Sequence, residues 1–251
     1  MPPEVLYGRR PVYESLRAER RQHTKLILAD GLKKADLLRD IEALAAARGV
    51  PVQTANRSAF DNRFGEANHQ GVALETSSYP YAHWDSLAGI AAKRGEPLFV
   101  LVLDHLQDPQ NLGSILRTAE AAGVHGVIIP DRRAAEVTPA VVRASAGASE
   151  HLAVVRVINL VQAMHDLKED GLWLAGLDAG PDSVLYTEAD LTGAVGLVVG
   201  GEGEGLGRLV GENCDYRIRL PMLGRVDSLN AGVACAIAVY DIRRRRGGGA
   251  S

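Results

Sequence analysis

Leu98-Phe-Val-Leu-Val-Leu103-Asp-His-Leu-Gln-Asp108-Pro-Gln-Asn111-Leu-Gly-Ser-Ile-Leu-Arg117-Thr decides how this chain folds. Its first six residues form an unbroken apolar run, as a strand covered on both faces of a parallel sheet requires. Asp108 is a favoured N-cap and Pro109 a favoured first helical residue, so a helix starts there and carries Leu112, Ile115, Leu116 and Ala119. The alternation continues downstream. Val127-Ile-Ile, Ala153 to Val157, Leu172 to Leu177, Val195 to Val199 and Tyr216 to Leu220 read as strands. A helix passes through Val141 and Val142, and an Ala-rich helix from Ser228 to Tyr240 closes the series. This is the pattern of an α/β domain with a mainly parallel sheet.

Upstream, Arg10 to Arg20 and Lys34 to Arg48 read as helices, while Lys25 to Ala29, Val50 to Gln53 and Gly71 to Glu75 read as strands of a small second sheet. The pattern loosens from Thr76 to Pro97, with one helix at Asp85 to Lys93. The expected organisation is a first domain over 1–76, a linker over 77–97, a second domain over 98–242 and a flexible basic tail over 243–251.

Composition narrows the function classes. Hydrophobic content of 46% with 24% charged residues fits a packed core rather than a disordered chain. No apolar stretch approaches the ~18 residues of a membrane span, and Met-Pro-Pro-Glu lacks the basic and apolar regions of a signal peptide. Cys214 and Cys235 have no ligand spacing, nor do the histidines, so the expectation is a cytoplasmic protein without a metal. The net charge of −3 gives no global attraction to phosphate. Any nucleic acid must therefore be held locally. Arg9, Arg10, Arg17, Arg20, Arg21, Lys25, Lys33 and Lys34 outnumber Glu4, Glu14, Glu19 and Asp30 near the start, either as an RNA-facing patch or as a solvated helix face.

Two further stretches carry candidate chemistry. Gly200-Gly-Glu-Gly-Glu-Gly-Leu206 follows an apolar strand, so its amides face either a ligand or only a structural turn. It matches neither the dinucleotide fingerprint nor the lysine-containing phosphate loop. Glu202 and Glu204 would repel a pyrophosphate but tolerate a cationic sulfonium. Leu220-Pro-Met-Leu-Gly-Arg-Val-Asp-Ser228-Leu-Asn230 enters the closing helix, where Ser228 is a reasonable N-cap and Asn230 fits poorly in a helical interior. Arg117 is either a solvated charge or a bidentate phosphate ligand. A site shared by Asn111 and Arg117, six residues apart, requires Asn111 at or before the first turn.

In order and spacing, these three stretches resemble the motifs of the SpoU (TrmH-like) branch of the SPOUT RNA 2′-O-ribose methyltransferases, closest to enzymes that methylate a guanosine of bacterial 23S ribosomal RNA. Arg143-Ala-Ser-Ala-Gly-Ala resembles an intervening family segment, and residues 5–76, with Asn68-His-Gln-Gly-Val-Ala, resemble the family's small RNA-binding domain. Ala231-Gly232 departs from the family's more usual Val-Ser. The resemblance implies a C-terminal trefoil-knotted methyltransferase domain with a small N-terminal α/β RNA-binding domain, S-adenosylmethionine as cofactor, ribosomal RNA as partner, and a homodimer. It further implies Asn111, Arg117, Glu202, Ser228 and Asn230 as the catalytic group, and Gly200, Gly201, Leu220, Met222 and Leu229 as cofactor contacts. Arg117 is assigned to a phosphate or the developing alkoxide, with Glu202 or water an easier proton acceptor than a guanidinium. A transfer-RNA enzyme and a non-catalytic ribosome-assembly factor are the alternatives.

Overall fold

The computed structural model describes residues 3–33, 35–65, 68–201 and 205–247. They divide into two compact units: Met1–Pro80 with Val137–His151, and Tyr81–Glu136 with Leu152–Ser251. Among the described residues no helix is long and apolar enough to cross a membrane.

The first unit begins with β1 (Glu4–Tyr7), α1 (Arg9–Ala18), β2 (His23–Ala29), α2 (Asp36–Ala47), β3 (Val52–Ala55), α3 (Arg57–Phe64) and β4 (Val72–Thr76). The sheet runs β1-β4-β2-β3, with β2 and β3 parallel and the other pairs antiparallel. Alternation along β2 serves two faces: Ile27 and Ala29 pack with Ala73 and Phe60 of α3, and the intervening Leu26 and Leu28 are buried as well. Strand β1 and helix α3 escape a reading by periodicity. Phe60 is the one buried residue of α3, whose start is fixed instead by Asn56, which accepts from the Ser58 amide at 3.0 Å.

The chain next runs through α4 (Ser86–Arg94), β5 (Phe99–Leu103), α5 (Pro109–Ala121) and β6 (Gly126–Pro130), then rejoins the first unit as α6 (Pro139–Ala144) and a 3-10 turn, Ala148–His151. Charge holds this excursion within the first unit. Arg21 is fully buried and bidentate to Glu150, at 2.9 Å from Nε to Oε2 and 2.9 Å from Nη2 to Oε1, and also reaches Glu4 and the Ser77 carbonyl. Tyr79 donates to the Ser149 carbonyl at 2.9 Å, and its hydroxyl pKa is pushed up to about 12 by burial. Residues 77–97 therefore do not form a loose connector. Residues 77–80 are tied into the first unit, and α4 buries Leu87 and Ala91 in the second.

The remaining elements are β7 (Val154–Val157), α7 (Leu160–Glu169), β8 (Trp173–Leu177), β9 (Val184–Leu185), β10 (Val195–Val199), α8 (Arg208–Glu212), β11 (Tyr216–Arg219) and α9 (Ala231–Arg245). The second sheet runs β7-β6-β5-β10-β8-β11-β9 with every neighbouring pair parallel. Its centre, β5 beside β10, is wholly buried. Leu160, Met164 and Leu167 of α7 join Val100, Val102, Ile128 and Val198 in one core.

The arginines expected in a flexible tail are structured instead. Helix α9 continues through Arg245, Arg243 grips Glu96 at 2.6 and 3.0 Å, and Arg245 donates to the Tyr186 and Ala189 carbonyls. Arg246 donates to the carbonyls of Pro97, Leu98, Leu191 and Gly193 while lying over the Phe99 ring. Burial and the neighbouring Arg243 push its pKa down to about 10. Acceptors supplied by distant loops are what a run of four arginines cannot reveal. Residues 248–251 lie outside the described residues.

Candidate active site

Strand register places the candidate residues at one edge of the second sheet. Val199 of β10 lies level with Leu103 of β5 and Leu177 of β8, and Leu177 is level with Ile218 of β11. The carboxyl ends of these four strands therefore sit side by side. They deliver Asp104, Asp178, Gly200 and Arg219 to one rim, where ligands of open parallel sheets bind.

The Asp108 carboxylate caps α5, accepting from the Gln110 amide at 3.1 Å and the Asn111 amide at 3.2 Å, with Pro109 as first helical residue. Asn111 thereby falls in the first turn and is buried. Arg117 emerges on an exposed side and makes no hydrogen bond or ion pair with the described residues. The structure brings Asn111 to Asn230: Asn230 Nδ2 donates to Asn111 Oδ1 at 2.8 Å.

Asn230, not Ser228, caps α9. Its Oδ1 accepts from the Gly232 and Val233 amides at 3.0 and 3.2 Å, and the helix begins at Ala231 instead of Ser228. A side chain that fits poorly inside a helix is well suited to open one. Ser228 is exposed and forms no hydrogen bond with the described residues. Leu229 is also exposed.

The glycine stretch is tightly folded where it is described. Gly205 N donates to Gly201 O at 3.2 Å. A Cβ on Gly200 would lie 2.1 Å from the Gly205 carbonyl oxygen, and one on Gly201 would lie 2.8 Å from that of His105, so neither position admits a side chain. Glu202 lies outside the described residues. The loop's far end is tied down by a group that motif reading missed: buried Asp104 accepts from the Gly207 amide at 2.8 Å through Oδ2, with Oδ1 against His105 Nδ1. The only sequence signal for it was an acid directly after an apolar strand.

Leu220 and Met222 line a cavity of about 360 Å³ together with Ala179, Arg219, Arg225 and Asp227. That volume lies within the range of small-molecule sites, and its mixture of apolar side chains, an acid and two arginines suits an amphiphilic ligand such as an adenosyl group. Ala179 enters through the β8–β11 neighbour relation, which no local motif encodes. Among the described residues no group of His, Cys, Asp and Glu side chains could hold a metal ion.

Residues 98–240 match the SpoU rRNA Methylase family, and residues 5–82 match the family described as RNA 2'-O ribose methyltransferase substrate binding. The chain is 42% identical over 243 residues to the putative TrmH family tRNA/rRNA methyltransferase YacO of Bacillus subtilis, covering 97% of this chain and 96% of that protein. Among solved structures, the SpoU methyltransferase AviRb from Streptomyces viridochromogenes superposes with a TM-score of 0.81 at 26% identity, covering 98% of this chain and 91% of that one. An AdoMet-bound rRNA methyltransferase from Sinorhizobium meliloti gives a TM-score of 0.78 at 25% identity, covering 97% of this chain and 87% of that one.

Proposed function

The chain belongs to the SpoU rRNA Methylase family and is an S-adenosylmethionine-dependent RNA 2′-O-ribose methyltransferase; we propose that its substrate is a guanosine of 23S ribosomal RNA. The match of residues 5–82 to a substrate-binding family supports an RNA ribose as the acceptor, and we read the presence of this added domain as favouring ribosomal over transfer RNA. The observation that carries the assignment of the site is the Asn230–Asn111 contact, which joins the first and third motifs at 2.8 Å.

The backbones of Gly200, Gly201, Leu220 and Leu229, with Met222, would hold S-adenosylmethionine. When bound, it supplies a methyl group on a positively charged sulfur. The remaining work is alignment of the ribose 2′-hydroxyl and removal of its proton. Asn230, fixed by its cap, and Asn111 orient the reacting groups with Ser228. Arg117, with no partner to release among the described residues, binds the adjoining phosphate or the developing alkoxide. Glu202 or a water takes the proton.

The deep trefoil knot belongs to the same proposal and rests on the family likeness. So does a homodimer. Val233, Ile237 and Tyr240 recur at helical spacing on α9 and remain 49%, 39% and 52% exposed, an apolar stripe suited to a second copy. Mass-spectrometric mapping of ribose methylation in RNA from cells with and without this protein tests the substrate. A site that disappears from 23S ribosomal RNA and returns on treatment with purified enzyme is expected, whereas a site lost only from transfer RNA would overturn the substrate assignment. Calorimetry in chelator should show cofactor binding without a metal.

A further inference from the structure

We propose that Arg143, held against Tyr7, and Arg9 each contact a backbone phosphate of substrate RNA, from two separate stretches of chain within the first unit. The proposal rests on the RNA methyltransferase reading and adds residues to it. Arg143 belongs to α6, within the excursion that rejoins the first unit between β6 and β7. Its guanidinium carbon lies 5.4 Å from the centroid of the Tyr7 ring. Arg9 follows Tyr7 by two residues.

Burial and pairing together set these two arginines apart from the other described cations of the unit, of which Lys33 and Arg57 also lack partners but are exposed. Arg10 and Arg17 pair with Glu14, Arg21 with Glu150 and Glu4, Lys25 and Arg63 with Glu75, Arg39 with Asp36, and Arg48 with Glu19. Arg20 spends donors on the Glu150 and Pro80 carbonyls. Arg9 and Arg143 are half-buried, yet neither guanidinium has an acidic partner or a hydrogen bond among the described residues, and the Arg9 Nε is buried without an acceptor. A half-buried guanidinium gives up hydration, and among the described residues no acid offsets that loss, the Tyr7 face compensating Arg143 only in part. Stacking on Tyr7 restrains the Arg143 plane and leaves its N–H edges for a bidentate acceptor. A backbone phosphate matches that fork and charge. A polyanion presents successive phosphates as repeated acceptors, so one RNA backbone can engage two such arginines of the same unit.

Fluorescence anisotropy with a fluorescein-labelled stem–loop transcript of ribosomal RNA, measured across a salt series, tests the site. Arg143→Ala and Arg9→Ala should each lower the slope of log affinity against log salt by about one. Each should weaken binding roughly tenfold at low salt, as loss of a charge-assisted contact implies. Calorimetric affinity for S-adenosylmethionine should stay at the wild-type value. Arg143→Lys keeps the charge but not the fork, so it should retain the slope while losing part of the affinity; it also serves as the folded comparison if the alanine variant does not fold. Unchanged slopes and affinities in the folded variants, beside a wild type that binds RNA and methylates it, overturn the site alone. Tight binding of inorganic phosphate to RNA-free protein, with no slope change on RNA, also overturns it. Absence of methyl transfer by the wild type, with the slopes changed as expected, would instead sink the parent reading and keep the site.

Discussion

Asn230 and Asn111 are joined amide to amide across the starts of α9 and α5, with Nδ2 of the first donating to Oδ1 of the second at 2.8 Å. Because Oδ1 of Asn230 is committed to capping the Gly232 and Val233 amides, its donor can face only one way. The helix cap therefore sets the polarity of the site.

That coupling gives a test separating folding from catalysis. Asn230→Asp keeps the cap and adds a charge favourable at a helix start, but it forces the Asn111 amide to reverse. Its melting temperature should stay near wild type, while single-turnover methylation falls ~100-fold or more through misplacement of the reacting groups. Asn230→Ala should lose the same activity and also ~1 kcal/mol of stability. Near-normal turnover by the aspartate variant would contradict the orienting role.

Arg117 is exposed and has no partner among the described residues, so removing it leaves nothing buried unsatisfied. Arg117→Ala should change stability by less than ~0.5 kcal/mol. Single-turnover methyl transfer should nonetheless drop ~100-fold. A variant that methylates ribosomal RNA at close to the wild-type rate would return Arg117 to the class of solvated surface charges.

The buried pair of Arg21 and Glu150 predicts an asymmetric response. Arg21→Ala leaves a buried carboxylate uncompensated and should cost ~3–5 kcal/mol in urea denaturation. Arg21→Met combined with Glu150→Leu should recover most of that loss, because two apolar groups need no counter-charge. A fragment beginning near Gly95 retains Glu150 without Arg21, so it should melt well below the intact protein. A fragment as stable as the whole chain would refute this.

His125 supplies a pH dependence. Its Nδ1 accepts from the Phe99 amide at 2.9 Å, and burial, reinforced by Arg94, pushes its pKa down to about 4. The unfolded chain, with an ordinary histidine near 6.5, binds more protons than the native state between these values. The contribution of this group is therefore complete above pH ~6.5 and is lost as pH falls toward about 4, at most ~3 kcal/mol. Denaturation at neutral and acidic pH should show a shallower acid loss for His125→Gln than for wild type. Equal slopes would assign the loss to other groups.

The apolar stripe on α9 should control assembly. Val233→Asp with Ile237→Asp should sediment as a monomer if a second copy covers that face. A variant sedimenting like wild type would place the subunit contact elsewhere.

Local rules made the parallel domain legible from sequence. The apolar run at 98–103 and the Asp108-Pro109 start operate within a few residues, and both appear in the structure within a residue of their expected limits. The site was less legible because its roles come from tertiary partners. Ser228 and Asn230 are equally acceptable caps in isolation, and only the start of α9 at Ala231 decides between them. Asp104 matters because the Gly207 amide comes back to it from 103 residues away. Arg243, Arg245 and Arg246 looked solvated because Glu96 and the loop carbonyls they grip lie far away in sequence.

The return of residues 137–151 to the first unit has a consequence for anyone recombining such enzymes. A graft that exchanges only the first 80 residues divides a module that the fold keeps whole, pairing Glu150 and Arg143 with surfaces that did not arise alongside them. Transplanting substrate preference would require both inserts to travel together, cut at Pro80 and on either side of Val137 to His151.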